Sequence, residues 1–460
     1  MDLYVRDIIK ACNGELLQGD ENKVLGEFSK DTRTIKKGEV YVGIKGENFD
    51  GNTLYELALE NGAEVCIIQG VNISEDVKEK YADRTIIRVE DTIKALQEIA
   101  AYKRSLYKIP VIAITGSVGK TSTKDIIASV VGTQFKVQKT QGNLNNHIGL
   151  PLTILGLKDH EALVVEMGMN NLGEISVLSK IAKPNIAVIT NVGTSHIGNL
   201  GSRENILKAK LEILDGLDKN GTLIINNDND LLNVWAKGYS GSIQVRTCGI
   251  ENKSDFLAKD ISADEYSSSF EIEVNGKTEK IVVPIGGKHF IYNALSAIAA
   301  GLELGIPVSK IQDGIRSFEL TKSRMELINL PDDVVVINDC YNANYDSMKA
   351  AIEYLGKINA NQKIAVLGDM LELGEFSEEL HKKIGEEVAK NKIDVVITVG
   401  KYGKVIADTA AANGILSYKC NNNEEATSTI KKIMKKGDIV LVKASNGMKF
   451  KEIVNSLSCK

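Results

Sequence analysis

Short apolar runs alternate with amphipathic helical stretches along most of the chain. The runs occur first at 111–115, 162–166, 186–190 and 222–226, and again at 334–339, 363–368, 394–399 and 438–443. Alternation of this kind is typical of parallel sheets with helices on both faces. Between the two series, stretches 267–274 and 280–284 flank the turn residues Asn275 and Gly276, which predicts an antiparallel ribbon. The sequence therefore predicts an α/β fold.

The chain has 460 residues, more than a single hydrophobic core usually organises. Residues before about 108 differ in pattern, with short predicted strands at 40–44, 65–68 and 85–89 and a predicted helix at 92–107. We place boundaries near residues 108 and 320. The expected domains are a smaller α/β domain at 1–108, a central domain with a mostly parallel sheet at 109–320, and a Rossmann-like domain at 321–460.

Composition excludes several functional classes. The net charge is −5 and only 5% of residues are aromatic, so neither a basic field nor a base-stacking surface for nucleic acid is expected. No stretch reaches the roughly 18 apolar residues of a membrane span, and the first residues lack the apolar core of a signal peptide. We therefore expect a cytoplasmic protein without membrane insertion. The scattered cysteines predict neither disulfides nor a zinc site; they are Cys12, Cys66, Cys248, Cys340, Cys420 and Cys459.

The strongest local motif is a glycine loop that follows the apolar run at 111–115. Its residues are Thr115, Gly116, Ser117, Val118, Gly119, Lys120, Thr121 and Ser122. Glycines let backbone N–H groups turn toward phosphate, and a helix N-terminus adds partial positive charge. Lys120 would reach the outer phosphates, and Thr121 or Ser122 would offer a hydroxyl to Mg²⁺. The G-x-x-G-K-T spacing is shorter than the standard phosphate loop, and a plain strand–turn–helix with a surface lysine would also fit it.

Two residues follow the next predicted strands of this series. Glu166 ends the strand at 162–166, and carboxylates at the carboxyl ends of such strands face the ligand crevice. There it would bind Mg²⁺ directly or through water. His196 follows the strand at 186–190, where both a functional role and a structural hydrogen-bonding role stay open.

Lys210 lies within the apolar stripe of a predicted helix at 203–217, beside Ile206, Ala209 and Ile213. An unpaired buried ammonium is costly, so the position needs an explanation. Either the amine extends along the apolar surface to reach water, or Lys210 reaches the nucleotide in modified form.

Together these motifs resemble the Mur ligase family, the ATP-dependent ligases of peptidoglycan precursor synthesis, over essentially the whole chain. The family elements match as follows: T-G-[ST]-x-G-K-[ST] at 115–121, N-x-N-N-x-I-G-x-P-x-T at 143–153, E-M-G at 166–168, T-N-[VI]-x-x-x-H at 190–196 and A-K-x-E at 209–212. The resemblance implies that Lys120, Glu166, His196 and Lys210 are catalytic. It also implies two Mg²⁺ ions held by Thr121, Glu166, His196 and Lys210, with Lys210 carbamylated.

The same resemblance assigns the ligands. Asn293 would contact the adenine of ATP, Asp339 its ribose, and Arg324 would reach ATP from the third domain. The uridine-diphosphate site would use Ser29, Asp31, Arg33, Lys45, Gly46 and Asp50, which without the family would be interpreted as an exposed turn and loop. The remaining implied substrate residues are Asn145, Asn146, Asn342, Asn344, Asp369 and Ser445.

Within the family, the chain is most similar to ligases that join D-alanyl-D-alanine to UDP-N-acetylmuramoyl-tripeptide through an acyl phosphate, and a monomer is expected. Five residues depart from that pattern: Asn338, Cys340, Tyr345, Ala444 and Asn446. The changes leave open a ligase for another dipeptide or depsipeptide, for example one ending in D-Ser or D-lactate. A sister ligase that adds a diamino acid and a non-catalytic nucleotide-binding paralogue also stay open.

Overall fold

The structure is a computed structural model that describes residues 2–264 and 266–458. Its first sheet has the strand order β1-β5-β4-β3-β2, parallel except for the β1–β5 pair. The strands are β1 (Glu15–Gln18), β2 (Phe28–Ser29), β3 (Val40–Val42), β4 (Val65–Ile68) and β5 (Thr85–Arg88). The accompanying helices are α1 (Val5–Cys12), α2 (Tyr55–Glu60), α3 (Glu75–Lys80) and α4 (Thr92–Ser105). Helix α4 leads from this sheet into the next one.

The central sheet is entirely parallel, in the order β12-β11-β10-β9-β6-β8-β7. Its strands are β6 (Val111–Thr115), β7 (Val137–Lys139), β8 (Ala162–Glu166), β9 (Ile186–Ile189), β10 (Thr222–Asn226), β11 (Gln244–Gly249) and β12 (Phe256–Leu257). The helices are α5 (Lys120–Gly132), α6 (Gly149–Leu155), α7 (Glu174–Ala182), α8 (Ile197–Leu200), α9 (Arg203–Leu211), α10 (Asp230–Gly238), α11 (Lys288–Glu303) and α12 (Val308–Arg316). Strands β6 and β8 are buried throughout, as their apolar sequences predict.

A separate three-stranded sheet follows, made of β13 (Lys259–Ala263), β14 (Ser268–Val274) and β15 (Lys277–Val283). Strands β14 and β15 form the predicted antiparallel ribbon. Asn275 and Gly276 make its two-residue turn, with φ angles of 51° and 75°. Positive φ at both positions is the signature of a tight hairpin turn that matches the strand twist.

The last sheet has the order β16-β17-β21-β18-β19-β20, parallel except at its β16 edge. Its strands are β16 (Glu326–Asn329), β17 (Val335–Asn338), β18 (Lys363–Gly368), β19 (Val395–Val399), β20 (Leu416–Cys420) and β21 (Ile439–Lys443). The helices are α13 (Tyr345–Lys357), α14 (Ser377–Lys390), α15 (Gly403–Ala412), α16 (Asn423–Ile433) and α17 (Lys451–Ser458). The predicted α/β fold class, with its mostly parallel sheets, is confirmed.

One predicted helix differs from the structure. The stretch predicted as a helix at 203–217 is α-helical only to Leu211, and a 3₁₀ helix at Glu212–Gly216 completes it. Five cysteines are buried free thiols, and Cys459 lies outside the described residues. Among the described residues, no helix combines the length and apolar character needed to cross a bilayer.

Candidate active site

The glycine loop joins the end of β6 to the start of α5. Its backbone packs against Thr190 and Asn191, the two residues that follow β9. Gly116 has φ 151°, and a Cβ there would lie 1.8 Å from Oγ1 of Thr190. Asn191 Oδ1 accepts hydrogen bonds from the backbone N–H groups of Ser117 (3.1 Å) and Val118 (2.9 Å). Two amides of the loop therefore already have protein partners, and the loop has a defined conformation.

Thr121 and Glu166 meet beneath the mouth of this loop. Thr121 Oγ1 donates to Glu166 Oε2 over 2.9 Å, and Asn145 Nδ2 donates to Glu166 Oε1 over 2.7 Å. Glu166 is buried at the end of β8, as the sequence predicts for a carboxylate at the crevice. Lys120 Nζ donates to Gly116 O over 2.8 Å, and burial lowers the pKa of this lysine despite the nearby carboxylate of Glu166.

Lys210 is fully buried, with only 2% of its surface exposed. The side chain is therefore enclosed over nearly its whole length, which disfavours extension of the amine along the surface to water, one of the two explanations that the sequence left open. Among the described residues, neither a hydrogen-bond acceptor nor an opposite charge acts on its amine. Burial, followed by the charge of Lys120, lowers the pKa of Lys210 well below its ordinary value. The side chain is thus a buried amine whose charged form is destabilised by its surroundings.

His196 caps the short helix α8 with a φ of 61°, in the left-handed region. Its Nδ1 lies 2.8 Å from Oε2 of Glu372, although the oxygen lies outside the direction that a hydrogen bond from the ring requires. The neighbouring imidazole lowers the pKa of Glu372. Glu372 belongs to the loop after β18, so this contact joins the central sheet to the last one. Glu372 is not among the residues that the sequence predicts for the site.

A cavity of about 270 Å³ opens above these groups. The phosphate-loop side contributes Lys120, Thr121, Asn145, Asn146, Glu166 and His196. The loop after β17 contributes Asn342 and Asn344, and Arg324 reaches in from the segment before β16. The structure therefore brings most of the predicted catalytic residues and part of the predicted substrate residues to one cavity. Lys210 does not line it and lies buried behind.

A second cavity of about 100 Å³ adjoins the loop on the α11 side; it is lined by Gly119, His289, Tyr292, Asn293, Asp339 and Lys443, among others. Asn293 Oδ1 accepts from Thr123 Oγ1 over 2.9 Å. Lys443 Nζ pairs with Asp339 Oδ2 at 2.5 Å, which fixes the predicted ribose ligand. Burial lowers the pKa of His289 to about 4. Lys443 is a member of this site that the sequence does not predict.

Arg324 links the two cavities. Its Nη2 donates to Thr121 Oγ1 over 3.1 Å, and its guanidinium lies 4.0 Å from the ring centre of Tyr341. The flanking residues Ser323 and Met325 both have positive φ, 62° and 49°. Non-glycine residues adopt this conformation at a cost, so the surrounding contacts hold the arginine in a constrained segment.

A third cavity of about 150 Å³ shares the 342–344 loop with the first. Its lining includes Ser195, His196, Leu371, Glu372, Ser445 and Asn446. Ser445 Oγ accepts from the Leu371 N–H over 2.9 Å and donates to Ala343 O over 3.2 Å. The hydroxyl therefore ties together the loops that form this cavity.

Asp369 does not line these three cavities. Its Oδ1 accepts from the N–H groups of Tyr402 (3.0 Å) and Gly403 (2.7 Å) at the start of α15. A carboxylate at a helix N-terminus is stabilising, and here it fixes the loop that carries Leu371 and Glu372. These bonds give Asp369 a structural contact, and its role in substrate binding stays a prediction.

The predicted uridine-diphosphate residues lie apart from these cavities, in the first domain; they are Ser29, Asp31, Arg33, Lys45, Gly46 and Asp50. Arg33 donates to both oxygens of Asp31, at 2.8 and 2.6 Å, and this lowers the pKa of Asp31 to about 2. The Arg33 side chain is 85% exposed. Lys45 and Asp50 face each other across an isolated β-bridge. Of the six residues, Arg33, Lys45 and Gly46 are exposed, whereas Ser29, Asp31 and Asp50 are half-buried.

Comparison with known proteins places these features in a family. Three family models match the chain: "Mur ligase family, catalytic domain" at residues 29–104, "Mur ligase middle domain" at 114–301 and "Mur ligase, glutamate ligase domain" at 323–446. A curated protein of Bacillus subtilis (strain 168), UDP-N-acetylmuramoyl-tripeptide--D-alanyl-D-alanine ligase, is 41% identical over 98% of both chains. The Escherichia coli (strain K12) protein of the same name is 32% identical, over 97% of this chain and 96% of its own.

Solved structures show the same relationship. A crystal structure of MurF from Acinetobacter baumannii has a TM-score of 0.89 and 29% identity, covering 100% of this chain and 99% of its own. The MurF ligase from Thermotoga maritima in complex with ADP has a TM-score of 0.81 and 29% identity, over 94% and 97% of the two chains.

Proposed function

The chain belongs to the Mur ligase family, and from that membership we propose that it is an ATP-dependent ligase joining D-alanyl-D-alanine to UDP-N-acetylmuramoyl-tripeptide. The product is the UDP-linked pentapeptide used in peptidoglycan synthesis. One observation carries the proposal: a single cavity joins the phosphate loop, through Lys120 and Glu166, to Asn342 and Asn344 of the last domain. Such a cavity suits a reaction in which a phosphoryl group and an incoming amine must meet.

Each domain then has one task. Residues 1–108 bind the UDP-linked substrate through the exposed residues around Asp31 and Asp50. Residues 109–320 bind ATP with the glycine loop and the cavity beside Asn293. Residues 321–460 bind the dipeptide and supply Arg324 and Asp339 to the nucleotide. Because the reaction consumes ATP, we place it in the cytoplasm, with the chain acting as a monomer.

The first chemical step activates the tripeptide. An oxygen of its terminal carboxylate attacks the γ-phosphorus of ATP, the bond from that phosphorus to the β-phosphate oxygen breaks, and acyl phosphate and ADP result. Both reactants are anions, so positive groups must offset their repulsion. Lys120, Arg324 and the N-terminus of α5 supply charge and N–H groups at the phosphates.

The second step forms the amide. The dipeptide amine attacks the acyl carbon, the bond to phosphate breaks, and the nitrogen gives up a proton. Asn342, Asn344 and Ser445 bind and orient the dipeptide on the last domain. Asp369 does not line the cavity; it supports the site indirectly by fixing the loop that carries Leu371. Holding two reactants in the correct geometry contributes a large part of such a rate enhancement.

Mg²⁺ fits the residues around the phosphate loop. Thr121 and Glu166 would hold one ion, and His196 and Lys210 a second. Among the described residues, no three His, Cys, Asp or Glu side chains converge, so each ion would also need oxygen ligands from a hydroxyl, a phosphate or water. The buried amine of Lys210, whose pKa is lowered by burial, fits carbamylation, in which the amine adds to CO₂ and releases a proton. When bound, the ions would supply positive charge beside the phosphates.

A different incoming dipeptide is the second candidate. Ala444 and Asn446 flank Ser445, and Asn446 lines the third cavity at the position where the family motif carries arginine. Loss of that charge changes how a terminal carboxylate or hydroxyl group is received. A dipeptide or depsipeptide with another second residue, such as D-serine or D-lactate, would therefore be an alternative substrate.

The test is release of phosphate from ATP by the purified chain. We expect release that requires UDP-N-acetylmuramoyl-tripeptide and D-alanyl-D-alanine together, with the pentapeptide product detected by mass spectrometry. Crossing lysine- and diaminopimelate-containing tripeptides with dipeptides ending in D-Ala, D-Ser or D-lactate identifies the substrates. Nucleotide binding without any coupled product across this panel would overturn the proposed function and favour a non-catalytic nucleotide-binding protein.

A further inference from the structure

Asp346 makes a side-chain contact between the last domain and the central one. It lies in the first turn of α13, and its Oδ2 accepts hydrogen bonds from the N–H (2.7 Å) and Oγ1 (2.9 Å) of Thr194. Thr194 belongs to the loop after β9, two residues before His196. Hydrogen bonds to an ionised acceptor are stronger than those between neutral groups. The contact thus places a full negative charge on the loop that carries His196.

Gly193 leaves the space that this carboxylate occupies. A Cβ at that position would lie 2.2 Å from Oδ2 of Asp346 and 2.7 Å from its Cγ. Any larger residue would displace the carboxylate from the backbone of the loop. The loop is therefore shaped to receive the side chain of Asp346.

The same loop is bonded to the phosphate loop on its other side. The Gly193 N–H donates to Ser117 Oγ over 2.9 Å, and Ser195 Oγ donates to Ser117 O over 3.0 Å. Arg203 Nη2 donates to Val192 O over 2.8 Å and holds the start of the loop. A displacement at Thr194 is therefore transmitted directly to the residues around the phosphates.

We propose that Asp346 is a positioning residue for the ligase reaction, an assignment that rests on the function proposed above. Its carboxylate holds the 193–196 loop, and with it His196, against the phosphate loop when the last domain docks. Asn344 Nδ2 donates to Ser195 Oγ beside it, and Glu372 approaches His196. The contact of Asp346 with Thr194 lies beside these two and supplies the carboxylate, and Asp346 lines none of the three cavities described above.

The test is a double-mutant cycle across the domain boundary, using Asp346→Ala, Thr194→Val and the combined variant. We expect Asp346→Ala to lower kcat/KM for the dipeptide by about ten- to a hundredfold and Thr194→Val by about three- to tenfold. The combined variant should be within about twofold of Asp346→Ala alone, because both changes remove one interaction. Effects that multiply would overturn the proposal.

Two further variants separate positioning from folding. Asp346→Asn keeps an oxygen acceptor and should recover part of the lost activity. Glu353→Ala removes a carboxylate from the same helix, which we expect to leave kcat/KM within about twofold of the original. Equal losses in Asp346→Asn and Asp346→Ala would show that charge alone acts at a distance and would contradict a hydrogen-bonded contact.

A measurement without substrates keeps this inference separate from the proposed function. With ADP bound, small-angle X-ray scattering should give a larger radius of gyration for Asp346→Ala than for the unmodified chain, at an unchanged melting temperature. An unmodified chain that makes no pentapeptide would overturn the proposed function alone. Identical scattering of the two chains with ADP would overturn the role of Asp346 in docking.

Discussion

At the level of single residues, the buried lysines divide into two kinds. Lys124, Lys210 and Lys443 are among the largest fully buried side chains of the described chain. Lys124 pairs with Asp125 at 2.9 Å and Lys443 with Asp339 at 2.5 Å. Lys210 has no such partner among the described residues. The burial of Lys124 and Lys443 is explained by the carboxylates that pair with them. The burial of Lys210 lacks such a partner, which indicates a functional role for its amine.

We therefore expect Lys210→Met to separate stability from activity. Methionine has a similar length and no amine to desolvate, so unfolding should cost the same or about 1–2 kcal/mol more than in the unmodified chain. Ligase turnover should fall to the limit of detection. Chemical unfolding followed by circular dichroism and the phosphate-release assay measure the two quantities. A destabilised variant that keeps its turnover would contradict a functional role for Lys210.

His289 gives a stability change with pH whose sign follows from its burial. Its pKa is about 4 in the folded chain, while an unfolded histidine titrates near 6.5. As the pH falls below 6.5 the unfolded chain binds the proton first, so stability present above pH 6.5 is lost down to about pH 4.

Replacing His289 by glutamine should remove this loss. Between pH 7 and pH 4.5, we expect the unmodified chain to lose about 2 kcal/mol more stability than His289→Gln. Urea unfolding at the two pH values measures the difference. His381, also buried with a lowered pKa, is present in both chains and cancels in the comparison. Parallel losses in the two chains would show that the ring of His289 protonates freely in the fold.

At the level of elements, helices α5 and α12 pack closely, and this packing requires glycine at one position but not at another. In α12, a Cβ at Gly314 would lie 2.5 Å from Cα of Val130 in α5. At Gly132, the last residue of α5, a Cβ would have no neighbour within 4 Å. The two glycines thus form a matched pair on the same pair of helices.

Alanine at these two positions should act in opposite directions. Gly314→Ala forces α12 away from α5 and should cost about 1–3 kcal/mol of stability. Gly132→Ala restricts the unfolded chain without a clash and should add about 0.5–1 kcal/mol. Thermal or urea unfolding of each variant, compared with the unmodified chain, measures the two stability changes. A neutral Gly314→Ala would mean that the helices separate at little cost.

The sequence predicts buried elements well because burial on both faces leaves a continuous apolar run. Strands β6, β8, β10 and β18 occur at the predicted residues. Strand β13 is not predictable in this way, since all five of its residues are exposed and its pairing comes only from β14. Periodicity carries no signal for such an edge strand. The change from α to 3₁₀ geometry after Leu211 is equally invisible to helical spacing.

Some features of the candidate site are likewise predictable from the sequence, whereas others are not. The glycine loop is predictable because glycine spacing after a buried strand dictates local backbone shape. The contacts of His196 with Glu372 and of Thr194 with Asp346 join residues far apart in the sequence and are not predictable from spacing. The burial of Lys210 is signalled by its apolar stripe, whereas its lack of a partner becomes visible only in the fold. The roles of the individual site residues stay predictions.

At the level of the whole molecule, two arginines lie at the two domain junctions with different surroundings. Arg104 of α4 donates to Ala182 O and Lys183 O at 2.8 and 3.3 Å, which fixes the first domain to the central one. Arg324 instead reaches into the cavities between the central and last domains. Its Nε is buried without a partner among the described residues. The first junction is satisfied by protein groups, whereas the second leaves a donor for a ligand.

We expect Arg324→Lys to impair catalysis although it keeps the charge. The guanidinium stacks on Tyr341 and donates to Thr121 at the same time, and an ammonium group cannot reproduce that planar geometry. Turnover should fall by about ten- to a hundredfold, because a donor at the transferred phosphoryl group is lost. The KM for the UDP-linked substrate should stay within about twofold, since its predicted residues lie on the far domain.

A matched control is Arg316→Lys. Arg316 is 58% exposed and lies 3.8 Å from the Asp313 carboxylate on the same helix, so its replacement should leave turnover and melting temperature unchanged. Steady-state kinetics, with ATP, tripeptide and dipeptide varied in turn, measure turnover and the KM for each substrate in both variants. If Arg324→Lys raised the KM for the UDP-linked substrate and kept its turnover, Arg324 would act on the first junction and not at the phosphates. The hydrogen bond to Thr121 at 3.1 Å favours the phosphate side, and the ring of Tyr341, 4.0 Å from the guanidinium, packs against the arginine in that position.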